Sequence, residues 1–104
     1  MGELPGEDLV RQGLGDLAAG RPTAEALLVA IGAPRLRRLG IALPPVAELP
    51  PSPERALYRL LEAARPRGAH SRYNALVRRL VSFERALEQR RARERRMEAA
   101  GSRP

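Results

Sequence analysis

Apolar side chains recur every three or four residues along most of this 104-residue chain, and proline and glycine separate the periodic stretches. This spacing places the apolar positions on one face of an α-helix. A first stripe, residues 10–17, predicts a helix that ends before Gly20. The N-cap residue Thr23 begins a second predicted helix, which ends at Gly32. A third, short helix is predicted over residues 34–39, with proline at its first position and Gly40 as a left-handed C-cap after it.

Residues 42–53 carry five prolines and therefore cannot form a helix. The larger apolar residues of this segment are Leu43, Val46 and Leu49. They predict an extended strap that packs across the helices, because a free linker would be more polar. Ser52 followed by Pro53 is a strong helix start, and it predicts a fourth helix that ends before Pro66.

The last predicted helix has the most regular apolar pattern, with alternating spacings of three and four residues. The seam consists of Tyr73, Leu76, Leu80, Phe83 and Leu87. It covers about two heptads, fewer than an independent coiled coil needs. We expect the seam either to pack on the fourth helix or to join two copies of the chain. Helix-forming residues continue from Ser71 to Gly101, so we expect a long helix whose end protrudes.

Sixteen Leu and seventeen Ala, beside only three aromatic residues, favour helix over sheet. The chain is therefore predicted to be all-α, a small bundle of five helices with a proline-rich strap and a long basic C-terminal helix. We expect residues 1–89 to form a single helical domain. Residues 90–104 are predicted to form an arginine-rich helical extension that is frayed or disordered at its end.

Charge is distributed unevenly between the two halves of the chain. Residues 1–53 carry five Arg and six acidic residues, a net charge of −1, whereas residues 54–104 carry fourteen Arg and six Glu, a net charge of +8. A strongly basic half often faces a polyanion such as nucleic acid. The predicted nucleic-acid contacts are Arg90, Arg91, Arg93, Arg95, Arg96, Arg67 and Arg72. The scarcity of aromatic residues argues against base stacking and therefore favours contacts with the phosphate backbone.

The basic tail also has an interpretation without any partner. Glu94 and Glu98 are spaced to form ion pairs with neighbouring arginines, namely Arg90–Glu94, Arg91–Glu94 and Arg95–Glu98. Such pairs would leave the tail as a solvated, partly neutralised helix.

A second basic surface is predicted on the short third helix, which carries Arg35, Arg37 and Arg38. Together with the second helix it resembles a helix-hairpin-helix, which grips the DNA backbone through a Gly-x-Gly turn. Here Pro34 replaces the second glycine of that turn and removes an N–H that would face a phosphate. The alternative is a tight corner between two core helices. The sequence leaves open whether this helix or the C-terminal tail is the working surface.

An anion site is a further candidate at the N-terminus of the last helix. Its residues are Arg67, His70, Ser71 and Arg72. Free N–H groups at a helix N-terminus and arginine side chains both attract phosphate or carboxylate. The alternative is a polar loop in which Ser71 caps the helix.

The inventory of reactive side chains argues against catalysis. The chain has one histidine, no cysteine and no lysine, so thiolate and Schiff-base chemistry is excluded and no metal site or cofactor is expected. We predict that the protein is not an enzyme. The acidic start of the chain is unlike a secretory signal, and the longest apolar run, residues 26–31, is too short to span a membrane. We therefore expect a cytoplasmic protein without membrane contact, and arginine without lysine is typical of a GC-rich bacterial genome.

Two functions are consistent with these patterns. The first is a small, basic, non-catalytic cytoplasmic bacterial protein that binds the backbone of DNA or RNA non-specifically through its arginine-rich C-terminal half. The second is a helical protein–protein interaction module, a homodimer through the seam or a complex with another helical protein, with no role in nucleic-acid binding.

Overall fold

The computed structural model describes residues 4–44 and 50–101 of the chain. Four helices occur in these residues: α1 (Glu7–Ala18), α2 (Ala24–Arg38), α3 (Pro53–Ala64) and α4 (Ala69–Gly101). The described residues contain no strand. The predicted all-α class and the long C-terminal helix are therefore confirmed.

The prediction of five helices is wrong, because the second and third predicted helices form the continuous helix α2. Proline inside a helix costs about 3 kcal/mol. Burial beyond the proline offsets much of this cost, since Leu36 is fully enclosed and burying a leucine contributes about 2 kcal/mol. No turn separates two helices here, so the resemblance to a helix-hairpin-helix does not survive in the structure.

Gly32 lies inside α2 and does not end it. The glycine faces α4 in the core, where a side chain would fit only tightly. A Cβ atom at this position would lie 3.0 Å from the Leu80 Cδ2 atom of α4. The glycine therefore allows α2 and α4 to approach closely. This packing role cannot be distinguished from a helix stop by local sequence alone.

Helix α2 lies at the centre of the molecule. Five consecutive residues, 26–30, are buried, which is the pattern of a helix enclosed on all sides. Helices α1, α3 and α4 all pack against it. The larger core side chains are Val10, Leu27, Leu28, Val29, Leu36, Leu57, Leu61, Leu80, Phe83 and Leu87.

The N-terminal end of α2 is held to α1 by a buried carboxylate. Asp16 is 2% exposed, and it accepts hydrogen bonds from Thr23 Oγ1 at 2.5 Å, Gln12 Nε2 at 3.1 Å and Arg21 Nη2 at 3.1 Å. The hydrogen bond from Thr23 is the main reason that the pKa of Asp16 is lowered, while burial opposes it. Thr23 Oγ1 also accepts from the backbone N–H of Ala26, as predicted for an N-cap residue.

The C-terminal end of α2 is a left-handed turn, as the sequence predicts. Gly40 has φ of 91° and donates its N–H to the Arg37 carbonyl oxygen at 3.0 Å. The N–H of Ile41 donates to the Leu36 carbonyl oxygen at 3.0 Å, which completes a Schellman motif.

The predicted strap lies partly outside the described residues, which omit 45–49. Leu43 is half-buried against the core, whereas Val46 and Leu49 fall within the omitted segment. Ser52 caps α3 by accepting a hydrogen bond from the N–H of Arg55 at 3.3 Å, as predicted.

Helix α4 begins at Ala69, two residues before the predicted cap Ser71. Gly68 precedes it, and its carbonyl oxygen accepts the first helical hydrogen bond from Arg72 at 2.9 Å. The helix has 33 residues and is about 50 Å long. Residues 93–101 are all exposed, so this end lies beyond the helical body. The boundary between a domain (1–89) and an extension (90–104) stays a prediction.

Candidate functional site

A strongly basic concave surface lies where the C-terminal end of α2 meets the C-terminal third of α4. This arginine cleft has a volume of about 460 Å³. It is lined by Arg35, Arg38, Leu39, Glu88, Arg91 and Arg95. Residues 34–39 and the C-terminal tail were alternative candidates for the working surface. Both contribute to this one cleft.

Helical spacing explains why these side chains converge. Glu88, Arg91 and Arg95 are separated by three and four residues and therefore lie on one face of α4. Arg35 and Arg38 are three residues apart in the last turns of α2 and share one face of that helix. The two faces meet because α2 continues through Pro34 instead of turning there.

The cleft carries an excess of positive charge. Four arginines and one glutamate line it, which is a net charge of +3. Arg35 Nη2 lies 3.4 Å from Glu88 Oε1, and the two side chains are 40% and 58% exposed. An ion pair with this exposure contributes at most about 1 kcal/mol. Glu88 therefore neutralises one arginine only weakly.

The other three arginines of the cleft have no ionic partner among the residues that the structure describes. Within residues 4–44 and 50–101, Arg38, Arg91 and Arg95 form no hydrogen bond or ion pair through their side chains. The ion pairs predicted between the tail arginines and Glu94 or Glu98 do not form in this part of the chain. The arginines of the tail are thus not held in ion pairs with the tail's own glutamates.

Arg91 is held in place by the turn that ends α2. A Cβ atom on Gly40 would lie 3.3 Å from Arg91 Cζ, so the guanidinium packs directly on the glycine backbone. The Nε atom of Arg91 is buried and has no hydrogen-bond partner among the described residues. A buried donor without an acceptor is uncommon in native proteins and indicates a place for a water molecule, an ion or a ligand.

A second unusual group, Glu84, lies one turn before Glu88 on the same face of α4. Its side chain is almost fully buried, and it accepts no hydrogen bond from the described residues. Burial raises the pKa of Glu84, while the positive charge of Arg35 acts in the opposite direction. Its Oε2 atom would lie 3.1 Å from a Cβ on Gly32, so the carboxyl group sits directly over the glycine.

The structure divides the predicted nucleic-acid contacts into separate groups. Arg91 and Arg95 line the cleft, and Arg93 and Arg96 are exposed farther along the tail. Arg90 is half-buried in a neighbouring groove between α1 and α4. Arg72 lies in the first turn of α4, about 28 Å from Arg91 by helical rise, and Arg67 precedes that turn. The structure does not bring these two residues to the cleft.

The anion site predicted around the start of α4 is placed on the surface. Arg67, His70, Ser71 and Arg72 are all exposed, and a ring nitrogen of His70 lies 3.2 Å from Asn74 Nδ2. Ser71 is not the cap of α4, because the helix has already begun at Ala69. Within the described part of the chain, no group of three or more metal-ligating side chains is arranged to hold a metal ion.

The apolar seam packs inside one copy of the chain. Leu80, Phe83 and Leu87 are 3–4% exposed and belong to the core. Tyr73 is half-buried, and its ring lies 5.9 Å from that of Tyr58 on α3. Dimerisation through this seam would therefore require core contacts of the monomer to be exchanged between two copies.

Arg35, Arg38, Leu39 and Glu88 complete the cleft, and the sequence did not assign these four residues to one site. The charge of Arg35 and Arg38 was visible, but the predicted break at Gly32 separated them from the tail. The spacing of Glu84, Glu88 and Arg91 does indicate that these three residues share one face of the last helix. The sequence does not show that this face lies against α2.

Comparisons with known proteins supply no relative for this chain: no family model, curated protein or solved structure matches it. Among the described helices, none combines the length and apolar character needed to cross a membrane.

Proposed function

We propose that this chain is a small non-catalytic cytoplasmic protein that binds the phosphate backbone of nucleic acid. The arginine cleft and the exposed tail of α4 form the binding surface. The observation that carries the proposal is the set of three arginines, Arg38, Arg91 and Arg95, that line one cleft and have no ionic partner in the described part of the chain. Arg93 and Arg96 extend the positive surface along the tail.

The physical basis is Coulombic attraction and release of counterions. Each duplex phosphate that a protein neutralises contributes about 0.9 to the slope of log affinity against log salt concentration. The surface has no aromatic platform for bases: Tyr58 and Tyr73 pair with each other, and Phe83 is buried. Binding of this kind depends on the charge and spacing of the phosphates, so it is expected to depend little on base sequence.

The test is fluorescence anisotropy with labelled duplex DNA and RNA, titrated at several salt concentrations. The cleft variant is Arg91→Gln/Arg95→Gln. The matched control is Arg55→Gln/Arg59→Gln, which removes the same charge from exposed positions on α3. We expect the cleft variant to lose about 1.8 in salt slope and at least tenfold in affinity at low salt. The control should lose much less.

Equal losses in the two variants would show that net charge alone, without the cleft, governs binding. Absence of binding by the native chain even at low salt would overturn the proposal. The homodimeric interaction module would then be the function to test, by measuring solution mass at micromolar concentration. A monomer mass would leave only a complex with a different protein.

A further inference from the structure

We propose that the arginine cleft is a receptor for a terminal phosphate group, either the phosphomonoester at the 5′ end of a nucleic-acid strand or free inorganic phosphate. The proposal rests on the proposed function for the identity of the strand. The chemistry of the cleft itself can be tested without any strand. The protein is then expected to bind a strand with a 5′-phosphate more tightly than the same strand with a 5′-hydroxyl.

The charge of the cleft matches a phosphomonoester better than a phosphodiester. A phosphomonoester carries a charge of about −1.5 to −2 at pH 7 and has three free oxygens. A diester within a strand carries a single charge on two free oxygens. Once Arg35 is paired with Glu88, three guanidinium groups remain, those of Arg38, Arg91 and Arg95. The cleft is thus lined by three guanidinium groups that can donate to the three free oxygens of a phosphomonoester.

The position of Arg91 gives a second argument for an oxyanion. The guanidinium of Arg91 packs on Gly40, so its conformation is restricted before any ligand binds. Its Nε atom is buried and lacks an acceptor among the described residues, so the Nη groups are the donors that remain for a ligand in the cleft. Two phosphate oxygens can accept from the two Nη groups, which is a bidentate geometry that arginine forms with phosphate.

The shape of the site favours an end over a continuous strand. The arginines lie on two different helices, and the cleft between them has a volume of about 460 Å³. A terminal phosphate can enter such a cleft end-on and meet arginines from both α2 and α4. A phosphate in the middle of a strand has a nucleotide on each side and meets mainly the exposed tail.

The experiment compares short oligonucleotides that differ only in a 5′-phosphate or a 5′-hydroxyl, by anisotropy at constant ionic strength. We expect the 5′-phosphate to increase affinity about tenfold in the native chain. This difference should disappear in Arg91→Gln and in Arg95→Gln, a fully surface-accessible change that guards against misfolding of the first variant. In Arg96→Gln, which lies outside the cleft, both strands should weaken but the difference should persist.

A second arm uses inorganic phosphate alone, measured as a shift in Tm relative to chloride at the same ionic strength. We expect a Tm increase in the native chain that is lost in Arg95→Gln. Strand binding with equal affinity for both 5′ ends, together with no phosphate effect on Tm, would overturn this inference and leave the proposed function intact. A phosphate effect without strand binding would support the cleft as a receptor for free phosphate and overturn the proposed function.

Discussion

The two ends of α2 contain the same kinds of polar groups in opposite states. At the N-terminal end, the carboxylate of Asp16 receives hydrogen bonds from three side chains, and its pKa is lowered. At the C-terminal end, Glu84 is buried without a hydrogen bond from the described residues, and its pKa is raised. Arg91, on the same helix, has a buried Nε atom without a hydrogen-bond partner in the described part of the chain.

This difference separates a structural polar cluster from a candidate binding surface. Satisfied buried polar groups hold two helices in register and have little capacity for a ligand. Unsatisfied groups reduce the stability of the free protein, since an unpaired buried donor or acceptor costs about 1–3 kcal/mol. A ligand that pairs them recovers part of this cost. The four predictions that follow test the two ends against each other.

The largest effect is expected where α1 touches the start of α2. A Cβ atom on Gly13 would overlap the Glu25 carbonyl oxygen, so Gly13→Ala must force the two helices apart. We expect a loss of about 3 kcal/mol in the free energy of unfolding, measured by urea denaturation. Gly15→Ala is the matched control, because no atom lies within 4 Å of its Cβ position. It should gain about 0.5–1 kcal/mol from helix propensity.

If Gly13→Ala proves as stable as the native chain, α1 and α2 are farther apart than the structure has them. That result would also remove the basis for comparing the two ends of α2.

The next effect concerns the N-cap of α2. Thr23→Ala removes both the acceptor for the Ala26 N–H and the donor to Asp16. We expect a loss of about 1–2 kcal/mol, with Ser52→Ala on α3 as the matched cap variant. The Ser52 change should cost less, about 0.5 kcal/mol, because this serine accepts only one exposed hydrogen bond. Thermal unfolding of both variants checks the order, and equal losses would mean that the Asp16 network adds nothing.

Glu84 is expected to respond to pH in the opposite sense to Asp16. Because burial raises the pKa of Glu84 above 4.5, its contribution to stability is greatest below pH 4.5 and falls as the pH rises through the raised pKa. Asp16 has a pKa below 3.8, so its contribution is present above pH 3.8 and is lost as the pH falls through the lowered pKa.

Replacing Glu84 with Gln tests this sign. At pH 7 we expect the variant to be about 1 kcal/mol more stable than the native chain, because burial disfavours the charged form of Glu84 and the variant carries no charge there. At pH 4 the two proteins should be equally stable. Urea denaturation at both pH values measures the difference. A less stable variant at pH 7 would indicate that attraction to Arg35 outweighs the cost of burial.

The smallest expected effect is a change in phosphate binding when the glycine of a left-handed turn is replaced. Two such turns are compared, and only one of them contacts a cleft arginine. Gly40 and Gly20 both have positive φ, 91° and 73°, so alanine at either position costs about 1 kcal/mol in stability. Only Gly40 contacts Arg91, since no atom lies within 4 Å of the Cβ position of Gly20. We expect Gly40→Ala to weaken phosphate-dependent binding about threefold and Gly20→Ala to leave it unchanged. Equal binding by both would mean that the contact between Gly40 and Arg91 does not position the guanidinium.

Local signals predicted much of the architecture correctly. Thr23 and Ser52 cap helices and Gly40 forms a left-handed turn, because the hydrogen bonds of caps involve only residues nearby in sequence. The signals at Gly32 and Pro34 were misleading, since burial of residues distant in sequence overrides local propensity there.

The candidate site was predictable in its charge but not in its shape. Arg91 and Arg95 were among the predicted contacts, as the tail is basic whatever it touches. Arg35 joined them only in the folded molecule, because it lies 53 residues before Glu88 in the chain.

Composition and local hydrogen bonding are enough to specify the all-helical class, most helix ends and the concentration of arginine in the second half. The continuity of α2, the burial of the apolar seam within one chain and the cleft shared by arginines from two helices arise only on folding. Long-range burial and close packing produce these features because they act between residues far apart in sequence. These interactions determine which polar groups find a partner, and at the C-terminal end of α2 they leave three arginines without one among the described residues.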